Sequence, residues 1–329
     1  MRNYIIKRVL ISILVLFFVG MIIYLLMRAL PTSYIESVAR ERAAAGTGIS
    51  YTEWLAQLKN MYDFDKPPIQ GYFSWLGKVL TTGDFGISWE YGVPVVQKFN
   101  ESVGYSMILS VIVMVLYLSI AIPLGIKAAV NQYTRTDYAI TVIALVGISL
   151  PTFFIATLLK YFLSYKLGWF ELYGMVSRDH PYMSPFGQFM DIAWHFVMPV
   201  ICLVFISVGG TMRFTRTTML EVLNSDYIRT ARAKGLSEDV VINRHGFRNT
   251  LIPLVTSVGG TLPYLFSGAM ITETLFQLTG IGYISYQAMV KGDIPFTMFY
   301  SMFLATLTLL GNLISDVLYA VVDPRIRVS

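Results

Sequence analysis

The side chains able to do covalent chemistry are few in this 329-residue sequence, and their spacing is poor for it. Three histidines, His180, His195 and His245, lie far apart. No G-x-S-x-G element offers an activated serine, and no H-E-x-x-H pair offers zinc ligands on one helical face. The single cysteine, Cys202, excludes a disulfide framework. A phosphate-binding loop is also missing. Gly71 and Gly77-Lys78 leave five residues between the glycines, and Val79 stands where the magnesium-binding Ser or Thr belongs. No catalytic residue, metal set or bound cofactor is expected. What remains is the chemistry of a charged docking surface, concentrated in residues 213–249.

That segment holds Arg213, Arg216, Arg229, Arg232, Lys234, Arg244 and Arg248. Asn224 or Ser225 can cap a helix whose first turn contains Asp226, favourable at the positive end of the helix dipole. Arg232 and Lys234 fall in its last turn, and Gly235 can take the left-handed conformation that stops a helix. Ser237 then caps a second helix that opens with Glu238 and Asp239. Two short helices around a glycine make a rigid knob; a solvated linker is the plainer alternative.

The elements that must carry this knob follow from composition. Fifty-five per cent of the residues are hydrophobic, 14% are charged, and the mean hydropathy is +0.59. A soluble domain carries about 25% charged residues. Six stretches approach or exceed the roughly 20 apolar residues needed to cross a bilayer. They are Val9–Met27, Tyr105–Ile126, Tyr138–Leu159, Ile192–Met212, Leu251–Thr272 and Pro295–Val322. The first five lack Asp, Glu, Lys and Arg; the sixth is uncharged up to Asp316. Pro123, Pro151, Pro199, Pro253 and Pro263 lie within or at the ends of spans, where kinks are expected. The expected fold class is therefore an all-α membrane protein of six transmembrane helices.

Basic residues set the orientation. With the N-terminus inside, the segments 1–8, 127–137, 213–249 and 323–329 hold 14 of the 25 Lys and Arg in under half the loop length, as the positive-inside rule expects. The net charge of +5 thus reflects topology, and no continuous basic stripe suggests nucleic acid. Four regions result: an N-terminal helix (1–30), a long external loop (31–104), a five-helix core (105–322) containing the loop 213–249, and a tail (323–329). The external loop, with Trp54, Trp75 and Trp89, reads as a folded cap, with a short amphipathic helix over Thr52–Met61.

At this level of detail the loop resembles the coupling loop of ABC importer permeases, in the first-permease form of the oligopeptide/dipeptide/nickel subfamily. Its typical run D-Y-I-R-T-A-R-A-K-G-L is matched throughout from Asp226 to Leu236. Five collinear elements follow the same pattern: Gly83 to Ser88 (G-D-F-G-I-S), Ser149 to Phe153 (S-L-P-T-F), His195 to Pro199 (H-F-V-M-P), Glu273 to Gly282 (E-T-L-F with G-I-G), and Asp293 to Pro295 with the tail Asp323-Pro324-Arg325. Two positions depart. Thr279 stands where proline often precedes G-x-G, and Glu171 where proline often follows G-W-F.

The resemblance implies a type I importer permease fold and a defined set of partners. These are a second homologous permease, two cytoplasmic ABC ATPases that bind ATP and Mg, an external substrate-binding protein, and lipid. In this reading Asp226, Tyr227, Arg229, Ala231, Arg232, Lys234, Gly235 and Leu236 form the ATPase-coupling surface. Arg229, Arg232 and Lys234 would supply charged contacts, and Gly235 would set the angle between the two helices. Glu273, Phe276 and Asp293 are candidates for the outer gate or a binding-protein contact; capping is the alternative for Glu273, and starting the sixth span for Asp293. The expected cargo is peptide, with nickel chelates or glycosides as alternatives. An intramembrane protease or a secondary transporter fits worse, since catalytic motifs, inverted repeats and mid-membrane charges are not evident.

Overall fold

The computed structural model describes residues 2–29, 32–45, 48–61, 66–259 and 269–322. Among these every regular element is helical, apart from one isolated antiparallel bridge between Ile87 and Pro94. The order is α1 (Arg2–Arg28), α2 (Thr32–Ala44), α3 (Tyr51–Met61), α4 (Pro68–Thr82), α5 (Val95–Val130), α6 (Arg135–Ser149), α7 (Thr152–Leu159, extended by a π-helical turn Lys160–Lys166) and α8 (Pro185–Leu223). Then come α9 (Asp226–Ala233), α10 (Glu238–Val240, running on through a π-helical turn Val241–Phe247), α11 (Arg248–Gly259), α12 (Met270–Phe276), α13 (Ile281–Val290) and α14 (Ile294–Val322).

Four helical segments among the described residues are long and apolar enough to cross a membrane: Ile6–Arg28, Val95–Val130, Pro185–Leu223 and Ile294–Ile314. A fifth arises if α6 and α7 with its π turn count as one span. The span expected over Tyr138–Leu159, with a kink at Pro151, turns there more sharply than a kink. α6 and α7 meet at 99°, because Pro151 drives the preceding residue out of the helical region; Leu150 sits at φ −86°, ψ 129°. Of the expected fifth span, Leu251–Thr272, residues 260–268 lie outside the described residues. Pro263 lies there too, and Pro123, Pro199 and Pro253 sit inside helices. A lipid-facing helix tolerates them where neighbours satisfy the freed carbonyls.

The chain forms two compact units, Met1–Ser102 with Ile284–Leu310, and Val103–Tyr283 with Gly311–Ser329. In the first, α4 lies on α1 through aromatic rings. The Tyr72 hydroxyl donates to the Phe17 carbonyl at 2.7 Å, and Tyr72 and Trp75 stack at 6.2 Å. Gly20 makes the close approach possible: a Cβ there would stand 3.0 Å from both the Tyr72 hydroxyl and Met302 Cε. The amphipathic helix expected over Thr52–Met61 is α3, with Leu58 buried. Among its described residues the segment expected as an external loop is thus largely helical, and it packs with the first half of α14.

In the second unit α6 crosses α8 on small residues, as membrane helices do when packing rather than hydrophobicity drives association. A Cβ on Gly209 would stand 2.5 Å from the Ala144 carbonyl oxygen, and one on Gly147 2.9 Å from that of Phe205. α5 joins through Gly125, whose Cβ would meet the Met212 carbonyl at 2.7 Å. These contacts fix α8, which carries the knob at its far end.

Candidate functional site

α8 ends at Leu223 and α9 begins at Asp226, with Ser225 as the N-cap residue. Its hydroxyl does not cap; it donates back to the Val222 carbonyl at 2.6 Å. Gly235 has φ +77°, the left-handed stop expected of it. Ser237 stands at the N-cap position of α10, but like Ser225 its side chain makes no capping bond. The knob has a small core of its own, in which Ile228, Ala231 and Val241 are buried against Val222. Ala231 and Ile228 therefore hold the knob together. Asp226, Tyr227, Arg229, Ala233, Lys234 and Leu236 face outward.

The charges are not equivalent. Arg232 closes across the glycine turn onto Glu238, with Nε and Nη2 donating to the two carboxylate oxygens at 2.8 and 3.2 Å. Arg229 stands 3.7 Å from Asp226, both in water. Lys234 has no carboxylate partner among the described residues. Arg232 thus braces the turn, while Arg229 and Lys234 are the more available cations. Glu238 appeared in the sequence only as a helix-start residue, because a pair formed across a turn has no periodic signature.

At the base of the knob Arg216 on α8 grips Asp137 at the start of α6, with Nε and Nη2 donating to its two oxygens at 2.7 Å each. The Tyr133 amide also donates to Asp137, which is 2% exposed. Breaking such a pair strands a buried charge, at a cost of about 3 kcal/mol. Arg216→Met is accordingly expected to lower the thermal midpoint of the purified chain, and adding Asp137→Asn to recover most of the loss. A single variant that melts like the parent would remove this pair from the support of the knob.

The three residues assigned to the external face are all buried. Glu273 on α12 is 1% exposed; Oε1 accepts the Ser106 hydroxyl at 2.7 Å and the Ala269 amide at 3.1 Å, and Oε2 accepts the Tyr283 amide at 3.0 Å. The Ser106 oxygen in turn accepts the Ile281 amide at 2.7 Å. This explains the G-I-G element: a Cβ on Gly280 would meet Ser106 Oγ at 2.4 Å, and one on Gly282 would meet Met270 backbone at 2.9 Å. Phe276 is 3% exposed, and its carbonyl accepts the Gly174 amide at 2.9 Å. Lys160, at the start of the π turn, donates to the Leu275 carbonyl at 2.8 Å and lies 4.1 Å from the Tyr173 ring centre.

Asp293, in the other unit, is 0% exposed. Its Oδ1 accepts the Phe296 amide at 3.1 Å and so caps α14, while Oδ2 accepts the Glu90 amide and the Ser88 hydroxyl. Burial pushes its carboxyl up, against the hydrogen bonds from Ser88 and from the amides of Phe296, Glu90 and Trp89. Asp293 thus ties the Gly83–Ser88 element to the start of α14. Ser88 was visible within that element; Ser106 carried no signal. The side chains of Glu273, Phe276 and Asp293 position loops and are not themselves presented at a surface of this chain. Of the two departures, Thr279 donates to Met175 Sδ at 3.1 Å, and Glu171 stands 3.6 Å from His195 Nε2. His195 Nδ1 meets the Asp191 carbonyl at 2.8 Å.

Apolar helices of membrane length, joined by a compact charged knob, define a multi-pass membrane protein. Residues 121–328 match the family described as the binding-protein-dependent transport system inner membrane component, and the chain belongs to it. Over 328 residues it is 34% identical to the oligopeptide transport system permease protein AppB of Bacillus subtilis, covering 99% of this chain and all of the relative. It is 32% identical to the dipeptide transport system permease protein DppB of Alkalihalophilus pseudofirmus, covering 99% of this chain and all of that relative. A probable peptide ABC transporter permease protein of Sinorhizobium fredii is also 32% identical over 329 residues, with the same coverage. The protein is a transport permease component.

Proposed function

We propose that this chain is one of two homologous permease subunits of an ATP-driven importer, with six spans, both termini and residues 213–249 in the cytoplasm, and peptides as cargo. The observation that carries the mechanism is the knob: a self-packed pair of short helices, pinned by Gly235 and presenting Tyr227, Arg229, Ala233, Lys234 and Leu236 outward. It suits a groove on a partner ATPase, which must supply the ATP and Mg chemistry. ATP closing an ATPase pair would draw two such knobs together and rock the spans attached to them. Nucleotide shifts that equilibrium only if it binds the closed arrangement preferentially. The names of relatives that transport oligopeptides and dipeptides support peptide as the cargo class. Uptake of labelled peptides by cells with and without this chain tests it; equal uptake would refute a peptide role.

On the external side Glu273, Phe276 and Asp293 act by holding the loops that a binding protein would meet. The orientation has its own test. A cysteine at position 238, in a chain with Cys202 replaced by alanine, is expected to react with an impermeant maleimide only after the cells are opened. Reaction in intact cells would invert the map.

A further inference from the structure

α4 belongs to the segment expected outside the membrane, yet its contacts lie well below the ends of two helices of membrane length. Gly20 of α1 is eight residues in from Arg28. A Cβ on Gly20 would stand 3.0 Å from Met302, which is eight residues in from Ile294 at the start of α14. α1 and α14 therefore meet at one depth, about 12 Å from both ends at the helical rise. Tyr72 of α4 reaches this level. The same Cβ would stand 3.0 Å from its hydroxyl, which donates to the Phe17 carbonyl at 2.7 Å. The Phe73 ring lies 5.9 Å from that of Phe17, and the Trp75 ring 6.0 Å from that of Tyr24. Both ends of α4 return to the helix ends. The Lys66 carbonyl, just before α4, accepts the Arg28 guanidinium; Phe85, just after it, lies 4.7 Å from Phe299 near the start of α14. α4 thus lies across the two helices, with its middle side chains reaching down along them. Its surface suits that place. Gly71, Tyr72 and Trp75 are buried. Ile69, Phe73 and Leu80 recur at spacings of four and seven, so they form one stripe; all three are exposed, Leu80 by 76%. Gln70, Ser74, Lys78 and Thr81 fall on a separate, polar face.

We propose that α4 is embedded in one leaflet of the bilayer, with Ile69, Phe73 and Leu80 in acyl chains and its polar face toward headgroups and water. Lipid is the occupant because the stripe continues a surface that lipid already covers. Over the same depth α1, an apolar helix of membrane length, exposes Phe18, Ile22 and Leu26. An amphipathic helix in the interface buries its apolar face about 5–10 Å into the acyl boundary. That matches a helix whose ends meet the ends of two spans and whose Tyr72 hydroxyl reaches the Gly20 level. In water the same stripe would be an uncovered apolar patch. α4 therefore anchors the segment 31–104 to the bilayer as well as to α1, and holds the Gly83–Ser88 element that follows it at the membrane surface. Assignment to the outer leaflet rests on the topology proposed above; the embedding does not.

The complete importer is reconstituted in phosphatidylethanolamine–phosphatidylglycerol liposomes with one nitroxide-labelled cysteine at a time: Ile22→Cys, Ile69→Cys, Lys78→Cys or Leu80→Cys, each with Cys202→Ala. Collisions of the label with oxygen, which concentrates in hydrocarbon, are compared with those of a neutral nickel chelate, which stays in water. The oxygen-to-nickel ratio at 69 and 80 should match that at 22 on α1 and exceed that at 78 severalfold. A ratio at 69 and 80 as low as at 78 would put α4 in water and overturn the proposal. Few collisions with either reagent at 69 and 80 would also overturn it, by showing a protein cover such as the second permease. Leu80 lies outside the aromatic cluster that packs α4 on α1, so its label decides where the label at 69 disturbs insertion. Reversed cysteine labelling at position 238 would move α4 to the other leaflet and leave these ratios unchanged, so the two readings fail separately.

Discussion

Replacing Gly235 by valine is expected to abolish import while leaving the permease inserted and its spans intact. Gly235 sits at φ +77°, where an L-residue costs about 1–2 kcal/mol and a β-branched residue more. A side chain at this position would meet nothing within 4 Å, so the penalty is one of backbone conformation and not of space. The polar brace across the turn is the Arg232–Glu238 pair, whose side chains are 44% and 60% exposed, above the small core of Ile228, Ala231 and Val241. An exposed pair contributes at most about 1 kcal/mol, too little to hold a strained valine in place. The turn should therefore open and swing α9 away from the direction α10 imposes. The effect should be graded: Gly235→Asn near the parent, since asparagine tolerates this region, Gly235→Ala intermediate, and Gly235→Val inactive. Uptake per ATP in liposomes holding the complete importer measures it. Gly235→Val with the parent ratio would show that the knob does not couple hydrolysis to transport.

Glu273→Ala is expected to lose transport through loss of the folded external loops. From sequence this carboxylate read as a gate or contact residue, with capping as the alternative. Its burial changes that expectation. Alanine would leave the Ser106 hydroxyl and the Ala269 and Tyr283 amides without their acceptor. Each buried unsatisfied donor costs about 1–3 kcal/mol, so a loss of at least 3 kcal/mol is expected, near the severe end for a single substitution. Glu273→Gln keeps an acceptor for Ser106 but turns an amide group toward the backbone N–H groups, and should fall between. Melting of the purified chain should rank parent, glutamine, alanine in that order. Normal melting of Glu273→Ala with impaired uptake would restore a direct role at the gate.

The broad architecture was legible because hydropathy belongs to contiguous stretches. Val9–Met27, Tyr105–Ile126, Ile192–Met212 and much of Pro295–Val322 each lie inside an apolar helix. The knob was legible for a similar reason: Gly235 acts on its immediate neighbours, so local rules placed its turn and, with Ser237 at the N-cap position, the start of α10. Local rules also overreached. They expected a kink at Pro151, where the structure turns by 99°, and they gave capping bonds to Asn224 or Ser225 and to Ser237 that these side chains do not make.

What only the tertiary structure decided is which polar groups meet. Ser106 and Glu273 are 167 residues apart, Ser88 and Asp293 are 205, and Asp137 and Arg216 are 79. No periodicity relates positions so distant, and a carboxylate at the end of an apolar run reads equally well as an exposed contact or a buried anchor. Burial selects between them, because a charged group leaves water only where donors are already in place. Gly280 and Gly282 show the same limit. The sequence marks them as a motif, and only the Glu273 carboxylate, Ser106 and the Met270 backbone packed against them show why a side chain has no room.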